Sequence, residues 1–160
     1  LLRGEGFAAL LDEAGLSLRL GMLRPLSRWV TPKLEPKRYD TLFFLARAPS
    51  GQHAEHDRQE TVAGLWASPQ DALAKRRDGE IRMAPPTVRT LESLTELDSV
   101  AAALARAAQS TPPLVEPVIR VDGDEIWIFF PGDAEHPVRD RLLAGPTREV
   151  LRRIGPRKPG

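Results

Sequence analysis

The sequence predicts an α/β protein with a mixed sheet, and three observations lead to this fold class. Two apolar, strand-like runs at residues 23–30 and 39–46 are separated by a turn that is too short for a parallel crossover. Asp122 and Gly123 join two further apolar runs and form the dipeptide that tight hairpin turns favour. Capping residues and prolines mark helices between these strand pairs. Closely spaced strands and interspersed helices together favour a mixed sheet packed against helices.

The totals indicate one domain without a strong charge. The chain has 160 residues, which is the usual length of a single domain, and we expect residues 1–154 to form it and residues 155–160 to be a flexible tail. The 23 basic and 22 acidic side chains nearly cancel, so no basic surface predicts a nucleic-acid partner. The absence of cysteine excludes disulfides, thiolate metal sites and a cysteine nucleophile.

The ends of the chain carry two further expectations. No apolar run approaches the roughly 18 residues that a membrane span needs, and residues 1–11 lack the pattern of a signal peptide. We therefore expect a cytoplasmic protein without a membrane partner. The chain begins at Leu1, in a stretch that already resembles the approach to a helix, and we expect that its beginning is missing.

The first three elements follow from periodicity. An amphipathic helix that ends at Gly15 is predicted, because Phe7, Leu10, Leu11 and Ala14 recur at helical spacing and form its expected core stripe. A first strand at residues 23–30 contains Leu26 and Trp29 as its bulky members. A second strand at residues 39–46 is continuously apolar from Leu42 to Leu45, which predicts burial on both faces.

The turn between these strands, residues 31–39, is called the basic turn below. Pro32 and Pro36 exclude a helix or a central strand there, so the flanking runs are expected to pair. Lys33, Lys37 and Arg38 place three cations beside the end of a strand. This arrangement suits an anion site, and it is equally typical of a solvated loop.

The second half of the chain is predicted from turn formers and caps. Residues 49–59 are an expected exposed loop, and residues 61–66 an expected strand. Ser68 and Pro69 start a helix, two helices follow at about residues 90–97 and 99–109, and Pro85 and Pro86 interrupt the chain before them. Residues 115–121 and 125–130 form the predicted hairpin, and residues 150–154 one more short apolar segment. The aromatic residues expected in the core or packing the hairpin are Trp29, Phe43, Phe44, Trp66, Trp127, Phe129 and Phe130.

Residues 10–16, LLDEAGL, resemble the end of the Nudix box, G-x5-E-x7-R-E-U-x-E-E-x-G-U, in which U is a bulky aliphatic residue. The carboxylates of that box gather a divalent metal on one helix face. Asp12 and Glu13 fit the pattern, but Ala8 and Ala9 stand where its Arg-Glu pair would fall. Two acids alone do not make that site, so Asp12 and Glu13 are interpreted as the solvated face of a short helix.

A broader resemblance covers residues 4–137. The chain resembles the part that follows the box in Nudix hydrolases related to the nucleoside diphosphate-linked moiety X motif 19 group. The resemblance implies an α/β/α sandwich, here truncated at its N-terminus, and hydrolysis of a diphosphate linked to another moiety, with coenzyme A or acyl-coenzyme A as substrates of eukaryotic members. The matching stretches are FAALLDEAGLSL, LRPLSRWVTPKLEPKRYDTLFFLA, HDRQETVAGLWASPQDALA, GEIRMAPPTVRTLESL and FFPGDAEHP.

The resemblance also implies site residues and a metal. Glu60 matches a glutamate at a loop-to-strand junction that binds a metal or activates water, with Mg2+ or Mn2+ as the cofactor. By their position near the basic turn, Arg38, Arg28 and Lys37 would bind phosphate oxygens of a nucleoside-diphosphate substrate in an intact enzyme. Ordinary surface charge is the alternative interpretation of Glu60 and of these cations, and Asp40 is equally interpretable as a partner that orients Arg38. Because the box is missing, we expect the chain by itself to be inactive.

Two alternatives accompany this hypothesis. His53, His56 and Asp57 lie close in sequence but lack a fourth ligand at zinc-like spacing, so they are interpreted as surface residues. The alternative function is a non-catalytic module that binds a nucleotide, an anion or a protein. Missing strands would expose sheet edges, so we expect this piece in isolation to be poorly soluble or a homodimer.

Overall fold

The computed structural model describes residues 6–51 and 64–152. Helices and strands are both present, which confirms the predicted α/β class. A single 3-10 turn, Leu20–Met22, precedes the first strand. The remaining elements, in chain order, are α1 (Phe7–Glu13), β1 (Arg24–Val30), β2 (Asp40–Leu45), α2 (Pro69–Arg77), α3 (Pro85–Leu94), α4 (Val100–Gln109), β3 (Leu114–Val115), β4 (Val118–Asp122), β5 (Glu125–Phe129) and β6 (Arg148–Arg152).

The strands form two three-stranded sheets in the described part of the chain. The first has the order β2-β1-β3, with β1 antiparallel to β2 and parallel to β3, so it is the predicted mixed sheet. The second has the order β4-β5-β6 and is antiparallel throughout. The mixed sheet carries the basic turn at one end of β1.

The basic turn connects β1 to β2 as the prolines predicted. The backbone N–H of Thr31 donates to the carbonyl of Tyr39 at 2.9 Å, and the N–H of Tyr39 donates to Thr31 Oγ1 at 2.9 Å. These two bonds close the turn, so the side chains between them are held at one end of the sheet. The strand register shifts between Pro25 and Ser27, where proline lacks a backbone donor.

Side-chain caps start two of the helices. Ser68 Oγ accepts a hydrogen bond from the N–H of Asp71 at 3.1 Å, and Ser99 Oγ accepts one from the N–H of Ala102 at 3.1 Å. Both caps confirm the predicted starts of α2 and α4. Pro85 begins α3 instead of interrupting the chain before it, because the first helical turn needs no proline N–H.

The predicted hairpin is formed by β4 and β5. Gly123 has φ +56°, a left-handed conformation that glycine adopts without strain, and Asp122 pairs with Glu125 across the turn. Val115, which was expected at the start of the hairpin strand, instead belongs to β3 and pairs with Trp29 of the mixed sheet. The difference arises because β3 is separated from β4 and joins the other sheet.

The core lies between the two sheets. Trp29, Val115, Ile128 and Phe130 form its buried cluster, with Phe43 and Ile126 packed against it. The rings of Trp29 and Phe130 meet edge to face with centroids 6.3 Å apart. Such a ring pair contributes about 0.5–1.5 kcal/mol beyond the burial of the two side chains, so it helps to hold β1 against the residues that follow β5.

Several burial predictions were wrong. Strand β2 is buried on one face only, because Phe43 packs against the core, whereas Phe44 points to the opposite face and remains 47% exposed. Trp66 is 74% exposed, and residues 64–66 are not a strand; residues 61–63 lie outside the described part. Helix α1 forms, but its apolar residue Phe7 is exposed because α1 buries none of its side chains.

Candidate functional site

Arg38 anchors the basic turn to the neighbouring strand connection. Its Nε donates to the carbonyl of Thr31 at 2.9 Å, and its Nη2 donates to Glu116 Oε1 at 2.6 Å. The side chains of Arg38 and Glu116 are 41% and 36% exposed, so solvent reaches both charges. An incoming anion would therefore compete with Glu116 for the guanidinium of Arg38.

Arg28 belongs to a separate ion pair. It projects from β1 between the buried residues Ser27 and Trp29, so its side chain is on the face of the mixed sheet opposite to the core. Its Nε donates to Asp40 Oδ1 at 2.8 Å, and its Nη2 pairs with the other carboxylate oxygen. Asp40 is therefore the partner of Arg28 and not of Arg38. Arg28 and Arg38 therefore have different acidic partners.

The contact between Arg28 and Asp40 shifts the pKa of each side chain so that its charged form is favoured. Hydrogen bonding from Arg28 lowers the pKa of Asp40 below its usual value, and hydrogen bonding to Asp40 raises the pKa of Arg28. Both side chains are about half exposed, at 50% and 48%, so salt screens their attraction. Arg28 is thus neutralised locally on the outer face of the mixed sheet.

Lys37 lies beside a cavity of about 540 Å³ between the two sheets, called the inter-sheet cavity below. Its Nζ lies 5.2 Å from the centroid of the Tyr39 ring, within the range of a cation–π contact. Glu35 also lines the cavity, so a cation and an anion of the basic turn stand at its edge. Apolar side chains from both sheets form most of the wall, among them Trp29, Phe43, Ile119, Ile126, Ile128 and Leu151.

The inter-sheet cavity can hold the apolar part of a ligand. Its volume is within the 300–1,000 Å³ of ordinary small-molecule sites, and such sites combine apolar walls with a few polar groups that set orientation. Lys37 supplies a positive charge where an anionic group of the same ligand would lie. The arrangement therefore suits an amphipathic anion.

A buried histidine supports Glu116 from behind. His136 is buried, and its Nδ1 accepts a hydrogen bond from the N–H of Val138 at 3.0 Å. The other ring nitrogen, Nε2, therefore carries the proton and donates to the carbonyl of Glu116 at 3.0 Å. Glu116 is held on its backbone by His136 and on its side chain by Arg38.

Asp133 organises the loop that contains His136. Its carboxylate accepts two hydrogen bonds from Arg148, each at 2.8 Å, and further bonds from Thr147 Oγ1 and the N–H of Glu135. Burial by itself raises the pKa of Asp133, but these hydrogen bonds outweigh burial and lower it. The carboxylate is thus ionised, and both of its oxygens accept hydrogen bonds from groups of the protein, which indicates a structural role.

Glu60, the predicted catalytic and metal-binding residue, lies outside the described residues, as do His53, His56 and Asp57. Asp12 and Glu13 are exposed on α1. Residues 6–51 and 64–152 contain no group of three or more His, Asp or Glu side chains that could hold a metal ion. The described residues therefore do not supply the Mg2+ or Mn2+ site that the resemblance implies.

None of the helices in this part of the chain is long and apolar enough to cross a bilayer.

Sequence reasoning missed Glu116, His136 and Arg89, a buried arginine of α3. For Arg89 a signal existed, since Arg89 and Glu92 stand at i and i+3 on a helix and pair at 2.7 Å. His136 lies in the FFPGDAEHP stretch, but no spacing rule connects it to Glu116. The contact exists only because the loop folds back on the β3–β4 connection.

The comparisons with known proteins agree with the resemblance. The chain is 33% identical over 102 residues to the acyl-coenzyme A diphosphatase NUDT19 of Gallus gallus, which covers 59% of the chain and 26% of that protein. It is 31% identical over 113 residues to the protein of the same name from Homo sapiens, which covers 67% of the chain and 30% of that protein. No family model matches the chain, and no solved structure gives a significant match. The chain thus spans less than a third of the length of these curated relatives, and its similarity is to diphosphatases that are named for coenzyme A substrates.

Proposed function

We propose that this chain is part of a Nudix-type hydrolase that cleaves a diphosphate in coenzyme A-linked substrates. The observation that carries the proposal is the 31–33% identity to two proteins named acyl-coenzyme A diphosphatase, over more than half of the chain. An acyl-coenzyme A molecule is an amphipathic anion. The inter-sheet cavity and the basic turn suit a ligand of that chemistry.

In this proposal the described residues bind the substrate. The inter-sheet cavity receives an apolar part of the substrate, and Lys37 and Arg38 attract its phosphates. Arg28 is the weakest of the three predicted substrate contacts, because it is paired with Asp40 and lies on the face of the sheet opposite to the inter-sheet cavity. Glu60 is proposed to take the chemical role, as a general base for water or as a metal ligand. Dependence on Mg2+ or Mn2+ is part of the proposal, with ligands from outside the described residues.

The test measures the hydrolysis of coenzyme A and of an acyl-coenzyme A by the complete polypeptide, meaning the full-length product of the reading frame that encodes this chain. We expect two phosphate monoesters as products, activity with Mg2+ or Mn2+, and loss of activity with a chelator. Replacing Glu60→Gln should lower kcat by about 10²–10⁴-fold if Glu60 is the general base. Glu55→Gln is the matched control, since it makes the same change five residues earlier and should leave kcat within about twofold. Full activity of the Glu60 variant would remove Glu60 from the catalytic role.

The second candidate is a module that binds such a ligand without cleaving it. It is favoured by the inter-sheet cavity, which is formed by described residues without any contribution from Glu60. This candidate predicts saturable binding of acyl-coenzyme A to the complete polypeptide, with no phosphate ester released in the presence of either metal. Turnover that is lost in the Glu60→Gln variant would exclude a module that only binds.

A further inference from the structure

A second cavity, of about 340 Å³, lies between β1, α3, α4 and residues 141–144, and it is called the arginine cavity below. Three arginines line it: Arg89 from α3, Arg106 from α4 and Arg141 from the loop before β6. Hydroxyl groups of Thr90 and Ser93 lie on the same wall as Arg89. No carboxylate of the described residues lines this cavity. The cavity therefore gathers three guanidinium groups, two of which also have a carboxylate partner outside its lining.

Arg89 is the buried member of this set. The residue is 2% exposed, its Nη1 donates to Glu92 Oε2 at 2.7 Å, and its Cζ lies 4.4 Å from the centroid of the Phe130 ring. Gly145 packs so tightly on this pair that a Cβ there would lie 2.5 Å from Glu92 Oε2. Arg89 is thus held in place. Its Nε nevertheless has no hydrogen-bond partner within residues 6–51 and 64–152.

A second buried polar atom without a partner lies next to it. Thr90 Oγ1 is buried and makes no hydrogen bond to the described residues. A buried donor or acceptor without a partner costs about 1–3 kcal/mol, and more for a charged group. Both residues line the arginine cavity, and these atoms lie just behind its wall, so a ligand there completes their hydrogen bonding once the wall side chains shift.

The two outer arginines keep most of their charge available. Arg106 approaches Glu96 only to 3.4 Å, and both side chains are more than half exposed, so this pair is weak. Arg141 donates its Nε to the carbonyl of Leu143 at 3.3 Å and its Nη2 to that of Gly145. These carbonyl partners orient the guanidinium of Arg141 without neutralising it.

We propose that the arginine cavity binds the phosphate group of a small molecule. Guanidinium groups bind phosphate oxygens through paired, charge-assisted hydrogen bonds, and hydroxyl groups complete the set. The volume accommodates one phosphate and a small attached body. The site is distinct from the basic turn, and Trp29 is the residue that lines both this cavity and the inter-sheet cavity. The inference does not depend on the hydrolase proposed above.

The test is calorimetric titration of the complete polypeptide with inorganic phosphate, a ribose phosphate monoester and acetate at constant ionic strength. We expect phosphate binding that falls roughly tenfold or more in Arg106→Gln and in Arg141→Gln. The matched control is Arg77→Gln on α2, an exposed arginine outside the cavity, which should bind phosphate like the unaltered protein. Tighter binding of the monoester assigns the site to esters, and equal or tighter binding of inorganic phosphate assigns it to the free ion.

The Thr90→Val variant distinguishes a ligand site from a buried hydroxyl that merely lacks a partner. The substitution removes the hydroxyl at nearly constant volume. If that hydroxyl only destabilises the fold, the variant should be more stable and its phosphate affinity should be unchanged. The proposal predicts roughly two- to tenfold weaker phosphate binding in this variant. Circular dichroism verifies that each variant is folded. The proposal is overturned if no phosphate binds, if acetate binds as well as phosphate, or if the Arg106 and Arg141 variants bind phosphate as tightly as the Arg77 control.

Discussion

Arg38 is held by Thr31 and by Glu116, and Glu116 is held in turn by His136. This connected set attaches the basic turn to the β3–β4 connection. The pairing also sets a cost for substrate binding, because an anion that engages Arg38 must compete with the carboxylate of Glu116. Arg38 therefore binds a ligand only if an anion can replace Glu116 as the partner of its guanidinium group.

The first residue-scale prediction compares the two members of this pair. If Arg38 binds substrate phosphate, Arg38→Gln should raise KM by roughly tenfold or more, because a charge-assisted hydrogen bond is lost. Glu116→Gln should leave KM unchanged or lower it, because the competing negative charge is removed. Steady-state kinetics of the complete polypeptide measures both effects. Equal loss of thermal stability in the two variants, with KM unchanged in both, would assign the pair to the fold alone.

The second residue-scale prediction concerns acid. Because the pKa of Asp133 is lower in the folded protein than the ordinary value near 3.8, its ionisation stabilises the fold at neutral pH, and this contribution is lost as the pH falls through the folded pKa. Asp133→Asn should cost about 1–3 kcal/mol at pH 7, because a neutral amide cannot accept all the hydrogen bonds of the buried carboxylate, whereas Arg148 is 44% exposed and stays solvated. The difference from the unaltered protein should shrink below about pH 4.

Urea unfolding between pH 3 and pH 7 measures this dependence. Asp140→Asn is the control, because Asp140 is an exposed acid in the same loop. Its variant should follow the unaltered protein at every pH. A difference between Asp133→Asn and the unaltered protein that stays constant from pH 7 to pH 3 would contradict the assignment of acid sensitivity to this carboxylate.

At the scale of elements, helix α2 begins through local chemistry. The Ser68 hydroxyl accepts the hydrogen bond of Asp71 N–H, Pro69 occupies the first helical position, and Asp71 places a negative charge in the first turn. Three basic residues follow in the last turn. These features agree with the helix dipole at both ends, which is why the start of α2 was readable from sequence.

The element-scale prediction removes one cap. Ser68→Ala should lower the free energy of unfolding by about 0.5–2 kcal/mol, because the N–H of Asp71 loses its acceptor. Ser17→Ala, at an exposed residue outside any helix or strand, should change it by less than about 0.5 kcal/mol. Chemical denaturation of the complete polypeptide measures both. Equal effects of the two substitutions would show that the cap contributes nothing of its own.

At the scale of the whole molecule, the two sheets share a buried core but leave an apolar surface on the outer strand. Leu42 and Phe44 of β2 are half-exposed, and in the described part of the chain β2 is paired with β1 only. An exposed apolar strand at a sheet edge promotes association with another chain. We propose on this basis that the 160-residue chain in isolation forms homodimers or larger species through β2.

The whole-molecule prediction tests that surface. Phe44→Lys should shift the isolated chain towards the monomer in analytical ultracentrifugation, because a charged side chain blocks association at the edge. Met22→Lys, which changes a similarly exposed apolar residue outside the strands, is the control and should leave the distribution unchanged. A monomeric unaltered chain that unfolds cooperatively would contradict the proposal.

Much of the fold was predictable because its signals are local. Pro32 and Pro36 placed the basic turn, Ser99 placed the start of α4, and Gly123 placed the hairpin turn. The failures concern residues whose surroundings are distant in sequence. Phe44 and Trp66 are apolar but exposed, and apolarity alone does not tell which face another element will cover.

The candidate site was less predictable for the same reason. Lys37 was singled out from sequence and does line a cavity, but the apolar wall opposite comes from β4 and β5, more than eighty residues later in the chain. Arg28 and Arg38 were considered together, yet each of them has its own acidic partner, Asp40 and Glu116. The number of charged residues could be counted from the sequence, but which of them pair with one another could be learned only from the tertiary structure.

The sequence by itself determined the α/β class, the basic turn, the hairpin turn and the starts of α2 and α4, because propensity and capping act over a few neighbouring residues. The resemblance to diphosphatases also came from the sequence, through the order of its motifs. Only the tertiary structure decided that Arg38 pairs with Glu116 and that Asp40 pairs with Arg28. It also decided that Arg89 is buried and that its Nε has no partner among the described residues. These pairings connect residues up to 78 positions apart. They depend on how the two sheets and the helices pack, and no local pattern encodes that packing.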